Sequence, residues 1–359
     1  MDVYIGHARF VSQDTIKVGE HELKFARCVI ATGAKASVPP IAGLSEVEYL
    51  TNQSIWNLTE LPRRFGVIGS GPIGSELAQA FALLGSKVTV LNRSARILGK
   101  EDREAADIVA ASMEECGVTF VTGIKFKSVC YKDASVGHKS GIVVKIVRNG
   151  KNEEKEAKEE EFEFDQLLIA TGRKPNVEGM DLELAKVKFD ARRGIEVNDF
   201  LQTSNGNIYA AGDCCTRFQF THMADAMARI VIRNSLFFGR SKVSDLIIPW
   251  TTYTFPEVAH VGLYESDLKA RNIAYDAVRI ELNHNDRAIC DGEAKHNGFV
   301  KVFTKKGGDN ILGATIVSDN AGDQINEFTL AIQANIGLGF LGAVIHSYPT
   351  VSEAVKHAG

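Results

Sequence analysis

The stretch Arg64–Leu91, RFGVIGSGPIGSELAQAFALLGSKVTVL, decides the fold of the chain. An apolar run leads into a glycine-rich turn, a helical pattern follows, and a second apolar run comes after the helix. This order predicts a βαβ unit with parallel strands. In the GxGxxG pattern the first glycine allows a tight turn, the second admits a pyrophosphate and the third lets helix and strand pack closely. The predicted dinucleotide-binding residues are Gly69, Gly71, Pro72, Ile73 and Gly74.

The residues after the second strand of this unit indicate which nicotinamide nucleotide binds. An NAD site usually places an acidic residue about 20 positions after the glycine motif, where it holds the ribose hydroxyls. Here that place is taken by Asn92, and Arg93 and Arg96 follow it. Because no carboxylate repels a 2′-phosphate, the guanidinium groups could pair with one. The sequence therefore favours NADPH over NADH, and the alternative is that both arginines are ordinary solvated charges.

The flanking segments predict more α/β structure. Residues 3–30 alternate apolar and polar positions as in a small β-meander, and a buried strand over 28–33 ends this segment. After the glycine motif, a helix over 101–116 leads into a strand at 118–121. The apolar strand 167–172 ends in Ala-Thr-Gly, as the earlier strand does, so the same local pattern occurs twice.

The chain from residue 125 onward mixes strands and helices. The charge run NGKNEEKEAKEEEFEF, within alternating residues 125–165, is interpreted as a solvated turn between antiparallel strands rather than an acidic docking surface. Further predicted elements are a strand at 207–211, a helix at 221–237, strands at 298–303 and 311–317, and a helix at 322–334. From Pro249 onward this pattern indicates an α+β unit.

Length and composition fit a soluble enzyme with more than one domain. The chain has 359 residues, of which 45% are hydrophobic and 32 are glycine, and its formal net charge is -4. No basic field is present to collect nucleic acid, and no segment approaches the roughly 20 apolar residues of a membrane span. Six scattered cysteines without CxxC spacing indicate a reducing compartment and no metal site. Adjacent Cys214 and Cys215 are expected to be ordinary thiols, because a bridge between neighbours is strained.

The order of motifs resembles the flavoprotein pyridine nucleotide-disulfide oxidoreductases, the family of dihydrolipoamide dehydrogenase, glutathione reductase and mercuric reductase. The motifs are ATG, GSGPIGSELA, ATGRKPN, NIYAAGD, FPEVAHVG and YPTVSE. The segments GDCCTRFQFTH and NDRAICDGE and the tyrosine of HSYPTVSE resemble the mercuric-reductase-like branch. The resemblance implies an α/β fold of FAD/NAD(P)-binding Rossmann-like domains, with parallel sheets and antiparallel β-meanders, followed by an α+β dimerisation domain. It also implies an obligate homodimer.

The resemblance assigns a flavin site to the second half of the flavin-binding domain. Gly212 and Asp213 take the places of the Gly-Asp whose aspartate holds the flavin ribityl chain, and the next helix would turn its N–H groups toward the reduced flavin. A plain Asx turn at Asp213 is the alternative. The predicted cofactor contacts outside the glycine motif and its arginines are Thr32, Gly33, Gly172, Arg173, Gly212, Asp213, Thr221, His222 and Ala224.

Four residues are candidates for catalysis. Glu76 matches the family's glutamate near the nicotinamide and flavin, although its usual lysine partner is absent and the helix dipole alone would favour an acid there. In dihydrolipoamide dehydrogenase and glutathione reductase a histidine, oriented by a glutamate five positions later, moves the thiol proton. Tyr348 and Glu353 take those places, and a phenol is a poor base at neutral pH, which fits the mercuric-reductase-like branch. His346 is either a substitute base or a structural histidine.

Family members begin with a flavin-binding GxGxxG and a CxxxxC pair, and this sequence starts at Met1 without them. An amino-terminally truncated chain is therefore expected. The expected domains are a flavin-domain remnant at 1–45, the NAD(P)-binding domain at 46–164, a second flavin segment at 165–245 and the dimerisation domain at 246–359. The predicted function is that of an FAD-dependent NAD(P)H oxidoreductase that passes a hydride to FAD and then reduces a disulfide or metal-ion acceptor. The alternatives are a truncated, catalytically silent nucleotide-binding or dimerising fragment and a related NAD(P)H oxidase or quinone reductase. The cytoplasm or an organelle interior is the expected location.

Overall fold

The computed structural model describes residues 1–148 and 158–359, and the chain divides into two compact units. The first unit contains Met1–Lys35 and Arg173–Leu246, and the second contains Ala36–Gly172 and Ile247–Gly359. The strands are β1 (Ala8–Phe10), β2 (Thr15–Val18), β3 (His21–Lys24), β4 (Cys28–Ile30), β5 (Ala34–Ala36), β6 (Arg64–Ile68), β7 (Lys87–Asn92), β8 (Thr119–Thr122), β9 (Ile124–Tyr131), β10 (Ile142–Arg148), β11 (Lys158–Phe164), β12 (Gln166–Ile169), β13 (Arg173–Pro175), β14 (Phe189–Asp190), β15 (Gly194–Ile195), β16 (Ile208–Ala210), β17 (Pro249–Thr252), β18 (Glu257–Gly262), β19 (Tyr275–Glu281), β20 (Phe299–Lys305) and β21 (Ile311–Ser318). The α-helices are α1 (Pro72–Leu83), α2 (Arg103–Glu115), α3 (Thr221–Leu236), α4 (Glu265–Ala270), α5 (Asp286–Asp291), α6 (Ala321–Gln333), α7 (Leu338–Ala343) and α8 (Glu353–His357).

The first unit combines an antiparallel meander with a parallel strand pair. Strands β1, β2 and β3 form the predicted meander, and β4 pairs in parallel with β16 although 180 residues separate Cys28 from its partner Ile208. The predicted burial of β4 is only partly right, because Ile30 is 4% exposed whereas Val29 is 47% exposed. Side chains alternate across a strand, so one face of β4 packs on the core and the other remains accessible.

The second unit contains the predicted βαβ unit in a four-stranded parallel sheet of order β12-β6-β7-β8. Helix α1 begins with Pro72, which suits the first helical position because its missing N–H would have had no helical partner. Helix α2 is capped by Asp102, whose side chain accepts from the Glu104 and Ala105 N–H groups. Both helices pack on a core that includes Phe65, whose side chain is fully buried. The prediction of parallel strands with helical crossovers is confirmed.

An antiparallel sheet of order β11-β10-β9 follows in the same unit. The strands β9 and β11 agree with the predicted alternation. The turn interpretation of the charge run falls largely on residues 149–157, which lie outside the described residues. The described end of the run, Lys158–Phe164, is the strand β11 rather than a turn.

The C-terminal part of the second unit is the predicted α+β region. Its five-stranded sheet has the order β17-β18-β21-β20-β19 and is antiparallel throughout. Helix α6 packs on this C-terminal sheet, with Ile325 and Phe328 in a core of fully buried side chains. The mixed α/β fold class is therefore confirmed. None of the helices in the described chain combines the length and apolarity that crossing a membrane requires.

Candidate active site

The glycine turn between β6 and α1 is built so that only glycine fits at its two ends. Gly69 adopts φ +104°, and a Cβ there would lie 2.5 Å from the Ala170 carbonyl oxygen. A Cβ on Gly74 would lie 2.2 Å from the Gly69 carbonyl oxygen, so the start of α1 packs directly on the turn. Gly71 differs, because a Cβ there would meet no atom within 4 Å. The turn is closed on the protein side and open on the outer side at Gly71.

The amino end of α1 offers N–H groups to a ligand at this opening. Gly71 precedes the helix without a side-chain cap, and the first turn contains no acidic residue. The N–H groups of the first turn have no partner within the helix, and the helix dipole adds positive charge there. An open glycine cradle at an uncapped helix end fits a dinucleotide pyrophosphate. The residues Gly69, Gly71, Pro72, Ile73 and Gly74 are thus brought together as predicted.

The segment after β7 carries the predicted arginines. The Asn92 side-chain amide donates to the carbonyl oxygens of Ser94 at 3.1 Å and Arg96 at 3.0 Å, so it shapes the backbone instead of pointing outward. Arg93 and Arg96 are exposed. No carboxylate stands at this place in the sequence, and the two guanidinium groups can reach a phosphate from solvent.

Glu76 lies on α1, close to the C-terminal sheet. Its Oε1 accepts from the Tyr253 backbone N–H at 2.8 Å. Burial raises the pKa of Glu76, the Tyr253 N–H opposes this, and the nearby Glu257 carboxylate adds to the increase. Glu76 is therefore more readily protonated than a surface glutamate, a property that often marks functional carboxyl groups.

In the first unit, the Gly-Asp pair lies directly against the start of α3. Gly212 adopts φ +77°, and a Cβ there would lie 3.3 Å from the Ala224 Cβ. Asp213 pairs with Arg173 at 2.6 Å, with side-chain exposures of 11% and 26%. The Arg173 Nε is buried without a hydrogen-bond partner among the described residues. An unsatisfied buried donor beside a carboxylate leaves polar capacity for a hydroxyl-bearing ligand, which fits a flavin ribityl chain.

The start of α3 is the helix end for which the resemblance implies a flavin contact, and that contact stays a prediction. The helix begins at Thr221 without a side-chain cap on Phe220 and without an acidic residue in its first turn. His222 is exposed and its ring stacks on Phe220, with ring centroids 5.3 Å apart. An uncapped helix end stabilises negative charge on a bound group. Thr221, His222 and Ala224 therefore lie at one helix terminus.

The two Ala-Thr-Gly strands end in equivalent hydrogen-bonded turns. In the first unit, the Thr32 hydroxyl donates to the Asn176 carbonyl oxygen at 2.7 Å, and Gly33 adopts φ +67°. In the second unit, the Thr171 hydroxyl donates to the Ser37 carbonyl oxygen at 2.6 Å, and Gly172 adopts φ +113°. Each threonine thus fixes the chain as it leaves the sheet. Whether these residues contact a cofactor stays a prediction.

Cys214 and Cys215 are free thiols, as predicted, but their environments differ. A hydrogen bond from the Cys215 thiol lowers the pKa of Cys214 to about 7 although burial opposes the change. The same contact, with burial, raises the pKa of Cys215. The Cys215 thiol also approaches the Gly212 carbonyl oxygen, at 3.4 Å. The sequence showed the adjacency of the thiols but not the buried donors around Cys214.

Tyr348 is exposed and is held by a residue that the sequence did not single out. Its hydroxyl donates to the Asp286 carboxylate at 2.8 Å, and that contact raises the pKa of the phenol. Glu353 begins α8 and influences Tyr348 electrostatically, without a hydrogen bond between them in the described structure. The phenol is a hydrogen-bond donor and a weak base. The only sequence signal for Asp286 was its place in the NDRAICDGE segment, which resembles the mercuric-reductase-like branch.

The hydrogen-bond partners of His346 differ from that of Tyr348, which is held by Asp286. Its Nε2 lies 2.9 Å from a Glu327 carboxylate oxygen and its Nδ1 lies 3.0 Å from the Val344 carbonyl oxygen. Burial lowers the pKa of His346, but the two acceptors outweigh burial and raise it overall. With both ring nitrogens engaged, the geometry favours the structural role over the substitute base. Among residues 1–148 and 158–359, no three His, Cys, Asp or Glu side chains are arranged to hold a metal ion.

Comparison with known proteins gives a consistent set of relatives. Mercuric reductase of Staphylococcus aureus is 36% identical over 99% of this chain, which covers 62% of that protein. Mercuric reductase of Bacillus cereus is 35% identical over 98% of this chain and 54% of its own length. Dihydrolipoyl dehydrogenase of Staphylococcus aureus is 32% identical over the whole chain and 74% of its length. The chain thus spans less than two thirds of the mercuric reductases it matches.

A solved structure and two family models agree with these relatives. The HOCl-induced flavoprotein disulfide reductase RclA from Escherichia coli superposes with a TM-score of 0.87 and 26% identity, over 98% of this chain and 78% of that one. Residues 248–359 match the dimerisation domain of the pyridine nucleotide-disulphide oxidoreductases. Residues 1–228 match the family model itself. The predicted resemblance, including the mercuric-reductase-like and dihydrolipoamide-dehydrogenase-like branch, is confirmed, and the chain belongs to the pyridine nucleotide-disulphide oxidoreductase family.

Proposed function

We propose that this protein is an FAD-dependent NAD(P)H oxidoreductase that reduces a disulfide or a metal ion. The observation that carries the proposal is the glycine turn at Gly69, Gly71 and Gly74, which is closed by backbone on one side and open beside a helix end on the other. That geometry suits the diphosphate of a dinucleotide. The family assignment and the names of the relatives support the redox chemistry.

Residues of both units have defined tasks in this proposal. The chemistry supplied by bound FAD is hydride acceptance from NAD(P)H and two-electron reduction of the acceptor. Asp213 would accept a hydrogen bond from the ribityl chain, and the end of α3 would stabilise negative charge. Thr32, Gly33, Gly172 and Arg173 would complete the cofactor contacts. Glu76 would face the nicotinamide from α1, and burial raises the pKa of its carboxyl group above that of a surface glutamate.

The nicotinamide nucleotide proposed is NADPH. Asn92 stands where an NAD site has its acidic residue, and Arg93 and Arg96 are exposed directly after it. A planar guanidinium forms bidentate pairs with a phosphate, which a neutral ribose hydroxyl does not offer. This supports a preference for the phosphorylated nucleotide without excluding NADH as a weaker ligand.

The proposed acceptor is a metal ion or a disulfide that meets the enzyme near Tyr348. The phenol is exposed and donates its single O–H to Asp286, so it would offer the lone pairs of its oxygen to the acceptor. The relatives named mercuric reductase support a metal ion, and the disulfide reductase RclA supports a disulfide. We assign His346 a structural role because Glu327 engages its ring, and we propose that Glu353 acts on Tyr348 through its charge.

The proposal extends to organisation and location. We assign residues 1–45 and 165–245 to flavin binding, 46–164 to NAD(P) binding and 246–359 to a homodimer interface. The dimerisation family match and exposed apolar residues near the C-terminus support the dimer. Six free cysteines among the described residues support a reducing compartment such as the cytoplasm or an organelle interior.

The test is nucleotide binding followed by acceptor reduction. Isothermal titration of the purified chain with NADPH and NADH should show saturable binding of both, with NADPH tighter, and the absorbance spectrum should show bound flavin. NADPH oxidation is then measured with mercuric ion, with an organic disulfide, and with oxygen or a quinone alone. Turnover only with oxygen or quinone would identify an oxidase or quinone reductase. Nucleotide binding without bound flavin or turnover would identify a silent fragment and overturn the proposal, and so would absence of any nucleotide binding.

A further inference from the structure

The segment that connects β7 with α2 carries the arginines proposed to select NADPH. We call residues 93–100 the cofactor loop. Asn92 holds its first half through hydrogen bonds to the Ser94 and Arg96 carbonyl oxygens. Arg93 and Arg96 are exposed on the loop, so their positions depend on the backbone and on little else. How the loop is fixed at its far end therefore determines where the guanidinium groups lie.

The far end of the cofactor loop turns at Leu98, next to the glycine turn. The Leu98 N–H donates to the Ser70 carbonyl oxygen at 2.8 Å, and the Glu101 N–H donates to the Leu98 carbonyl oxygen at 2.8 Å. Leu98 is 1% exposed and adopts φ 45°, in the left-handed region that a leucine rarely occupies. Such a conformation is strained for a leucine and persists only where the surroundings hold it. The turn is held between Ser70 and Glu101.

Glu101 is itself held by aromatic side chains of the C-terminal sheet region. The Tyr264 hydroxyl donates to Glu101 Oε2 at 2.5 Å, and the Trp250 side chain interacts with the same carboxylate and opposes the rise in its pKa that burial causes. The Tyr264 ring stacks on His260 with ring centroids 3.6 Å apart, and His260 is fully buried. Tyr264 therefore cannot follow Glu101 if the loop moves. Its hydroxyl is a fixed point for the end of the cofactor loop.

A second contact fixes the neighbouring residue. Asp102 caps α2 with Oδ1, and its Oδ2 pairs with Lys301 at 3.0 Å, with side-chain exposures of 11% and 14%. Lys301 also lies 5.0 Å from the centre of the Phe299 ring on the same strand. The start of α2 is thus anchored to β20 independently of Tyr264. Loss of the Tyr264 contact would release the Glu101 side chain and leave the Leu98 turn held only by Ser70 and by its own burial, while α2 stays in place.

We infer that Tyr264, with Trp250, is a specificity-determining positioning residue that fixes the cofactor loop and thereby sets the preference for a 2′-phosphorylated nucleotide. The inference rests on the proposed function, because it concerns the site at Gly69–Gly74 and its arginines. The Tyr264 hydroxyl meets Glu101 rather than the glycine turn, and its ring packs on His260. Its effect passes through Glu101 and Leu98 to Arg96, so it should alter the ratio of affinities for NADPH and NADH rather than both affinities equally.

The test compares affinities of the full chain for NADPH and NADH by isothermal titration. Tyr264→Phe should weaken NADPH roughly three- to tenfold, the scale of one charge-assisted hydrogen bond or less, and leave NADH nearly unchanged. Glu101→Ala should do the same. Glu101→Gln should retain the preference, because its carbonyl oxygen still accepts from Tyr264. Tyr275→Phe is the matched control, since Tyr275 makes a comparable 2.5 Å hydrogen bond to Glu265 outside the loop.

The outcomes separate this inference from the function on which it rests. If the wild-type chain binds neither nucleotide, the proposed function fails. If it prefers NADPH and both Tyr264→Phe and Glu101→Ala keep the wild-type ratio, the inference alone is overturned. An equal change in Tyr275→Phe would also overturn it, because the effect would then be one of general stability. Thermal melting of each variant identifies any that do not fold, and Glu101→Gln supplies the rescue.

Discussion

Arg93 lies first in the cofactor loop, and the proposed preference for NADPH gives its charge a direct part in nucleotide choice. Replacement by glutamate would place a negative charge where a 2′-phosphate is proposed to bind. We expect Arg93→Glu to raise the KM for NADPH by roughly tenfold or more, the scale of a lost charged pair, and the KM for NADH much less. Steady-state kinetics with both nucleotides measures the ratio.

Arg103→Glu is the control for this substitution. Arg103 is an exposed basic residue at the start of α2 that pairs with Asp107, so the change in net charge is the same. An unchanged ratio in Arg93→Glu would reject the role given to Arg93. An equal effect of Arg103→Glu would attribute the preference to the general field rather than to the loop.

Tyr348 is the residue for which the structure refines the predicted chemistry. Because Asp286 raises its pKa, the phenol stays protonated at neutral and mildly alkaline pH and acts as a donor. We expect Tyr348→Phe to lower turnover with a mercuric-ion or disulfide acceptor about tenfold, while the titrated affinity for NADPH stays constant. Tyr275→Phe should leave both values unchanged. A loss of NADPH binding in Tyr348→Phe would contradict a role confined to the acceptor.

His346 and Glu327 make a pH-dependent contribution to stability. The folded pKa of His346 lies above its usual value of about 6.5, because Glu327 and a carbonyl oxygen favour the protonated ring. A raised histidine pKa stabilises the fold below the unfolded pKa, and that stabilisation is lost as the pH rises through the folded value. The thermal midpoint should therefore decrease as the pH rises from about 6.5, the usual histidine pKa, through the raised folded pKa of His346.

Glu327→Gln tests that contribution, because it keeps an acceptor and removes the charge. The variant should show a smaller fall in thermal midpoint over the same pH range. Glu22→Gln is the control, since Glu22 belongs to an exposed pair with Lys17 at 3.8 Å. A pH dependence that is identical in all three proteins would assign it to other groups.

At the scale of elements, substitutions in the glycine turn before α1 can distinguish an effect on folding stability from an effect on nucleotide binding. A Cβ on Gly74 would lie 2.2 Å from the Gly69 carbonyl oxygen, whereas a Cβ on Gly71 meets nothing within 4 Å. Gly74→Ala should therefore destabilise the fold by about 1–3 kcal/mol or more. Gly71→Ala should leave the thermal midpoint unchanged and weaken NADPH by more than about tenfold, because its methyl group enters the ligand space. Equal binding by Gly71→Ala and wild type would place the pyrophosphate elsewhere.

The same elements show what the sequence can predict. The βαβ unit, both Ala-Thr-Gly strands and α3 depend on local patterns of apolar and glycine residues, and their bounds agree with the structure to within a few residues. Strand partners and side-chain contacts are different. Tyr348 meets Asp286 across 62 positions and Tyr264 meets Glu101 across 163, and no periodicity encodes such pairs. The predicted burial of β4 failed at Val29 for the same reason, since burial depends on what covers a face.

At the scale of the molecule, the exposed apolar residues near the C-terminus require an explanation. Leu330, Phe340, Val344 and Ile345 are 66%, 61%, 41% and 94% exposed. Exposed apolar side chains close together in the chain often mark an interface. They lie in the region matched by the dimerisation domain, and Ile345 stands three residues before Tyr348. A dimer that covers them would place the partner subunit close to the proposed acceptor site.

Substitution of Ile345 by glutamate tests this arrangement, because a carboxylate buried at an apolar interface without a partner is strongly unfavourable. Light scattering after size exclusion should show wild type as a dimer and Ile345→Glu as a monomer at micromolar concentration. Leu184→Glu, at a residue that is 54% exposed in the first unit, should remain dimeric. If the acceptor site depends on the partner, Ile345→Glu should also lose turnover while it keeps its affinity for NADPH. A monomeric wild type, or a dimeric Ile345→Glu, would remove the interface from this surface.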